Sequence, residues 1–94
     1  MYQITAHVKP KKDSEHFGKA LGAYATLFID YNDINGAFAL AKFYFEEENW
    51  EIIEIEEEYY IIEHKEEMDD NYAQYYDEVF EYGYSLIFNI YENE

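Results

Sequence analysis

Apolar and polar residues alternate along several stretches of this chain, and the alternation restricts its fold more than any other feature. In residues 2–9 one side is apolar and consists of Tyr2, Ile4, Ala6 and Val8. Residues 23–31 alternate as well, but both sides carry apolar residues. Because successive side chains of a strand point to opposite faces, the first pattern predicts a strand with one buried side. The second predicts a central strand.

Two more strands are predicted in the second half of the chain. Residues 50–56 read WEIIEIE, in which Ile53 and Ile55 are predicted to face inward. Residues 84–91 read YSLIFNIY and place Leu86, Phe88 and Ile90 on one face. Residues 59–62, YYII, either continue the third strand or form a short strand of their own.

Two segments instead repeat apolar residues every three or four positions, which is typical of an amphipathic helix. The first helix is predicted to begin after an N-cap at Asn32 or Asp33 and to end near Asn49. The second covers residues 65–83, with Gly83 as its C-terminal cap. Its predicted apolar stripe consists of Met68, Tyr72, Tyr75, Tyr76, Val79 and Phe80.

This order of strands and helices predicts one α+β domain that covers residues 1–94. We expect a single, mostly antiparallel sheet of four to five strands. Both helices are expected on one face of that sheet, in an arrangement of ferredoxin-like type, because one helical layer would bury the apolar stripes described above.

Charge is distributed unevenly along the chain. It contains 22 acidic residues, six Lys and no Arg, for a net charge of −16. Residues 1–45 hold four acids and five Lys, whereas residues 46–94 hold 18 acids and one Lys. Such a field repels nucleic acid and anionic membranes, so we expect neither as a partner; it attracts cations and basic proteins. A purely solubilising role for the charge remains an alternative.

The composition also restricts the cellular compartment. The chain has no Cys, so disulfides and thiolate sites are excluded. It lacks a signal-peptide core and an apolar run of about 18 residues, the length that a membrane helix needs. These features predict a soluble, cytoplasmic protein.

Residues 30–36, DYNDING, place several side-chain oxygens before a glycine, as a calcium loop does. Neither alignment with an EF-hand supplies the required ligands, and one of them puts Lys42 at the last ligand position. A strand-to-helix turn explains the segment without a metal. The three histidines are scattered, and no catalytic signature occurs. We therefore predict no metal, no cofactor and no enzymatic activity.

Closely spaced tyrosines among the acids point to a protein interface. In an adjacent pair such as Tyr59 and Tyr60, at most one ring fits fully into a small core, so others must reach the surface. Tyrosine is favoured at interfaces, where it supplies a large contact area at low entropic cost. The predicted partner-binding residues are Glu56, Glu57, Glu58, Tyr59, Tyr60, Asp69, Asp70, Tyr75 and Tyr76. A homodimer that buries these tyrosines is an open alternative.

The stretch ATLFIDYNDINGAFALAKFYFEEENWEIIEIEE resembles a pattern in small bacterial proteins of unknown function. In those proteins a strand leads into an alanine-rich helix and then into a strand that starts near a tryptophan. They resemble cargo of mobile elements, such as integron cassettes or toxin–immunity loci. The resemblance covers residues 25–57 and implies an accessory protein, but it transfers no functional residue.

The leading functional hypothesis is a non-catalytic acidic protein that binds a basic protein through its acidic, tyrosine-rich C-terminal half. An immunity protein against a cationic toxin and a mimic of DNA both fit this description. Two alternatives remain. One is a pocket for a small aromatic ligand between sheet and helices, lined by Phe, Tyr and Trp50. The other is a homodimer without a separate ligand.

Overall fold

The computed structural model describes residues 1–92 and contains one five-stranded antiparallel sheet with two α-helices. The α+β class and the single antiparallel sheet are therefore confirmed. In chain order the elements are β1 (Tyr2–Pro10), β2 (Ala20–Ile29), α1 (Ile34–Glu47), β3 (Trp50–Ile55), β4 (Tyr60–Ile61), a 3-10 turn (Lys65–Glu67), α2 (Ala73–Tyr82) and β5 (Tyr84–Glu92).

The strand order is β3-β1-β2-β5, and β4 also pairs with β1. β2 is central, as its apolar residues on both faces predict. β3 pairs with the second half of β1, up to Pro10, and β4 pairs with its start, at Tyr2 and Gln3. One edge of the sheet is thus built from two short strands, β3 and β4, and the opposite edge is the single strand β5.

The first face of the sheet, on the side of Ile4 and Leu27, is covered by α1. The helix inserts Ala37, Ala41 and Phe45 into the main hydrophobic core. The alanines of β1 and β2 on this face leave room for large rings from neighbouring elements. The buried strand residues of the first face are Ile4, Ala6, Val8, Ala23, Ala25, Leu27, Ile29 and Trp50.

The second face, on the side of Phe28, is covered by α2, so the helices do not share a face. Phe28 points away from its neighbour Leu27 and packs with Val79 of α2, with Met68 and with Ile62. The expectation of both helices on one face is therefore wrong, and with it the ferredoxin-like arrangement. The physical reason is that β2 and β5 carry apolar residues on both faces, which require cover on each side.

The predicted start of the first helix is confirmed at Asp33. Its carboxylate accepts a hydrogen bond from the backbone N–H of Gly36 at 2.9 Å, which satisfies a free donor of the first turn. DYNDING is therefore a capped strand-to-helix turn. Asn49 follows the helix with a φ of 66°, in the left-handed region, and turns the chain into β3.

The second helix is shorter than predicted. Residues 65–67 form a 3-10 turn, and the α-helix begins only at Ala73. Asp69 accepts a hydrogen bond from the backbone N–H of Asn71 at 2.9 Å, a local bond that competes with helix formation. Phe80 is 68% exposed and does not belong to the buried stripe. The cap at Gly83 is confirmed, with a φ of 90°.

Candidate functional site

The edge formed by β3 and β4 combines exposed apolar side chains with glutamates. Its apolar members, Ile53, Tyr59, Tyr60 and Ile61, are 38% to 60% exposed. We use the name acidic edge for residues Ile53, Glu54, Glu56, Glu57, Glu58, Tyr59, Tyr60 and Ile61, all of which are exposed. Five of the nine predicted partner-binding residues lie here, side by side.

Two backbone hydrogen bonds fix the ends of the loop within the acidic edge. The N–H of Glu56 donates to the carbonyl of Thr5 at 2.9 Å, and the N–H of Ile62 donates to the carbonyl of Met1 at 2.8 Å. Between these two hydrogen bonds, the chain does not pair with β1 from the end of β3 to the start of β4. Glu57 and Glu58 therefore lie on a short loop, and both ends of this loop are anchored along β1 and the residue before it.

A β-bulge accounts for the exposure of Ile53. On β1, His7 is opposite Glu54 and Val8 is opposite Ile52, so Ile53 has no partner between them. The extra residue shifts the alternation of the strand and turns the Ile53 side chain outward. The prediction that Ile53 faces inward is wrong for this reason, whereas Ile55 is half-buried against the first core, as predicted.

Most of the negative charge on this side of the sheet is not neutralised within the protein. Residues 51–63 contain six glutamates and no Lys, Arg or His. Glu51 forms an ion pair with Lys9 at 3.1 Å. Within residues 1–92, the other five make no ion pair. The acidic edge therefore carries a negative potential that is available to a partner.

The two adjacent tyrosines lie on opposite faces of the acidic edge. Tyr59 packs edge-on against Tyr2 and Phe38, with ring centroids 5.7 and 5.9 Å apart. Tyr60 is opposite Gln3 of β1, on the second face. Tyr59 is thus held in place by two aromatic neighbours while part of its ring remains exposed, and such a pre-positioned ring loses little entropy on binding.

The remaining predicted partner-binding residues lie elsewhere. Tyr75 and Tyr76 belong to α2 and are half-buried against the second core. The Tyr76 hydroxyl donates to the carbonyl of Glu63 at 3.5 Å. Asp69 and Asp70 are exposed in the loop before α2. The structure therefore does not gather all nine residues on one surface, because Tyr59 packs on the first face and the two α2 tyrosines on the second.

A carboxylate fixes the segment that follows β4. Glu67 accepts hydrogen bonds from the backbone N–H groups of His64 at 2.9 Å and Glu63 at 2.6 Å. The bond from His64, and next the bond from Glu63, lower the pKa of the Glu67 carboxyl below its ordinary value. The ionised side chain thus holds the chain between the acidic edge and α2 in one conformation.

A cavity of about 450 Å³ opens on the first face near Trp50. The ring of Trp50 stacks on His16 and on Phe88, each with its centroid 5.4 Å away. Trp50 is only 3% exposed, so both faces of its indole are covered. The cavity is lined by Asp13, Ser14, Glu15, His16, Glu47, Glu48, Asn49, Trp50, Phe88 and Ile90, so its wall is largely polar and acidic.

Sequence reasoning missed a cluster on the second face, beyond the start of α2. The His7 ring stacks on Tyr24 at 4.8 Å, and its Nε2 is hydrogen-bonded to the Tyr91 hydroxyl. Gly22 makes this contact possible, since a Cβ there would lie 2.6 Å from the Tyr91 hydroxyl oxygen. A glycine within a strand signals such a close approach, and Gly22 is the residue that could have revealed the cluster.

The described residues hold neither a cluster of metal ligands nor a membrane-spanning helix. Across residues 1–92, no three His, Asp or Glu side chains converge as metal ligands. Over the same residues, no helix has the length and apolar character needed to cross a membrane.

No protein-family model matches the chain, and no curated protein or solved structure is significantly similar to it.

Proposed function

We propose that this protein is a non-catalytic binding protein that engages a basic protein through the acidic edge. The observation that supports the proposal is the placement of four exposed apolar side chains among glutamates without ion-pair partners. Neither feature alone would be specific. Together they combine apolar anchors with a charge that selects the partner.

The apolar members supply the contact area that such an interface needs. Tyrosines are enriched among the residues that dominate binding energy. Here Tyr59 and Tyr60 lie between Glu58 and Ile61, at the β4 end of the acidic edge. Lys or Arg side chains of a partner can pair with Glu56, Glu57 and Glu58 around them.

The charge directs which class of protein is bound. A net charge of −16 accelerates the approach of a cationic protein and repels acidic ones. An immunity protein that neutralises a cationic toxin fits, as does a mimic of nucleic acid that blocks a nucleic-acid-binding protein. The resemblance of residues 25–57 to mobile-element proteins favours the immunity role. Because the chain has no Cys, it suits the reducing cytoplasm, where we place this function.

The test uses two variants with equal charge. In one, Glu56, Glu57 and Glu58 become Gln; in the matched control, Glu46, Glu47 and Glu48 become Gln. Each removes three exposed, consecutive glutamates, so the net charge and the long-range field change equally. Both variants and the wild-type protein are used to capture partners from the native lysate at low and high salt.

We expect the wild-type protein and the control variant to capture the same basic protein at low salt and to release it at high salt. The E56Q/E57Q/E58Q variant should lose that protein. Equal capture by both variants would contradict a role for the acidic edge, because a non-specific charge effect does not distinguish the two triplets. Loss in the control variant alone would place the interface at the Trp50 cavity.

The volume of the Trp50 cavity favours a second candidate function, the binding of a small ligand. About 450 Å³ lies within the range of ligand pockets, roughly 300–1,000 Å³. Because both faces of Trp50 are covered, an aromatic ligand would have to displace His16 in order to stack on it. The acidic wall favours an organic cation instead. A thermal-shift screen of organic cations tests this function, and a shift that E46Q/E47Q/E48Q abolishes would support it.

A further inference from the structure

The edge opposite the acidic edge is a regular strand with an unpaired side. β5 pairs with β2 along its length and lies at the end of the strand order, so within residues 1–92 no strand pairs with its outer side. Its nine residues, Tyr84–Glu92, span about 30 Å at the usual rise per residue. The one register shift of this pair skips Leu21 on β2, so β5 itself has no bulge.

Charge is absent from β5 as far as Tyr91. Residues 82–91 contain no charged side chain and form the longest uncharged run in residues 46–94. Natural proteins protect exposed edge strands with charges, prolines or bulges, because free N–H and C=O groups pair readily with another chain. β5 carries no such protection before Glu92, in a half of the chain where acids are otherwise frequent.

We infer that β5 is a self-association surface that pairs antiparallel with β5 of a second copy of this chain. An antiparallel edge strand is complementary to itself about a twofold axis, since residue i of one copy pairs with residue j of the other and residue j pairs with residue i. The pairing would join two five-stranded sheets into one continuous sheet. It would satisfy the outward N–H and C=O groups of both copies.

Incompletely buried apolar side chains on the first face of β5 support a second copy of the chain as the partner of this edge. Leu86 and Phe88 are only half-buried, and Ile90 is 40% exposed. α1 lies over β1, β2 and β3 and leaves the margin at β5 less covered. Pairing would bring the same three residues of two copies together across the new strand pair, and would bury apolar surface that one copy alone leaves in water.

The contrast between the two edges predicts a closed dimer instead of a fibre. Pairing through β5 consumes that edge in both copies. The outer edges of the resulting sheet are then both acidic edges, each with the bulge at Ile53 and the glutamates around it. Like charges and an irregular backbone oppose further strand pairing there, so growth stops at two copies.

The overall charge opposes this association and gives it a characteristic salt dependence. Each copy carries a net charge of −16, so two copies repel at long range. Salt screens that repulsion and leaves the hydrogen bonds and apolar contacts of β5 largely unaffected. Dimerisation should therefore strengthen as salt is added, whereas binding of a basic protein should weaken.

The test compares the same substitution on the two edges. Ile90→Glu places a charge on β5, and Ile53→Glu places one on β3; both isoleucines are exposed, at 40% and 52%. Molar mass in solution is measured by sedimentation for the full chain and both variants, at low and high salt. Circular dichroism checks that each variant is folded.

We expect twice the chain mass for the wild-type protein and for Ile53→Glu, and the mass of one chain for Ile90→Glu. Wild-type protein that stays monomeric at high salt would overturn the inference, and so would a dimer that Ile53→Glu alone dissociates. If Ile90→Glu does not fold, hydrogen exchange of the wild-type protein decides. A β5 dimer protects consecutive amides in residues 84–92, whereas an unpaired β5 leaves alternate amides exchanging rapidly.

Discussion

The two edges of the sheet differ in charge and in backbone regularity. The acidic edge is built from two short strands, contains a bulge at Ile53 and carries glutamates without ion-pair partners. β5 is a single nine-residue strand whose run from Tyr84 to Tyr91 is uncharged. From this difference we propose a foreign, oppositely charged partner for the acidic edge and a second copy of the chain for β5.

The largest effect is expected in the core that supports β5. Phe28 is fully buried in the second core, so Phe28→Ala should lower the free energy of unfolding by about 3–5 kcal/mol. The exposed Phe80 provides the control, and Phe80→Ala should change it by less than about 0.5 kcal/mol. Chemical denaturation measures both. Equal effects of the two substitutions would show that α2 does not hold this side of the sheet.

A smaller effect is expected at Tyr60, at the β4 end of the acidic edge. Tyr60→Ala should weaken binding of the basic partner about tenfold, as the loss of an interface anchor does. Tyr82→Ala removes a tyrosine of similar exposure at the end of α2 and should leave the affinity unchanged. Titration calorimetry with the captured partner measures both variants. An unchanged affinity for Tyr60→Ala would leave charge as the sole determinant at this edge.

The smallest effect concerns the segment next to the acidic edge. Because the pKa of Glu67 is lowered in the folded protein, its bonds to the amides of His64 and Glu63 stabilise the segment above the ordinary carboxyl pKa. They are lost as the pH falls through the lowered pKa. Glu67→Gln should therefore speed exchange of those two amides at neutral pH, whereas Glu66→Gln should not. Hydrogen exchange by NMR measures this, and identical exchange in both variants would contradict the assignment.

The strands could be predicted from the sequence because their alternation reflects burial directly. The alternation in residues 2–9, which is apolar on one side, corresponds to β1. The alternation in residues 23–31, which is apolar on both sides, corresponds to β2. The caps at Asp33 and Gly83 could be predicted too, because each depends on local chemistry.

Features that depend on tertiary register could not be predicted in this way. The bulge that exposes Ile53 arises from pairing with β1, which the sequence of β3 does not encode. The placement of α2 on the second face depends on which strands neighbour Phe28 in the assembled sheet. The partition of the predicted site has the same origin. Tyr59 and Tyr60 are exposed, whereas Tyr75 and Tyr76 pack against the second core from a helix whose position the periodicity does not fix.

The division of function between the two edges is tested most directly by measuring each edge variant in both assays. The E56Q/E57Q/E58Q and Ile90→Glu variants are each examined for capture of the basic partner and for molar mass at high salt. We predict that the first loses the partner and remains a dimer, and that the second becomes a monomer and retains the partner. A variant that loses both properties while still folded would contradict two independent surfaces.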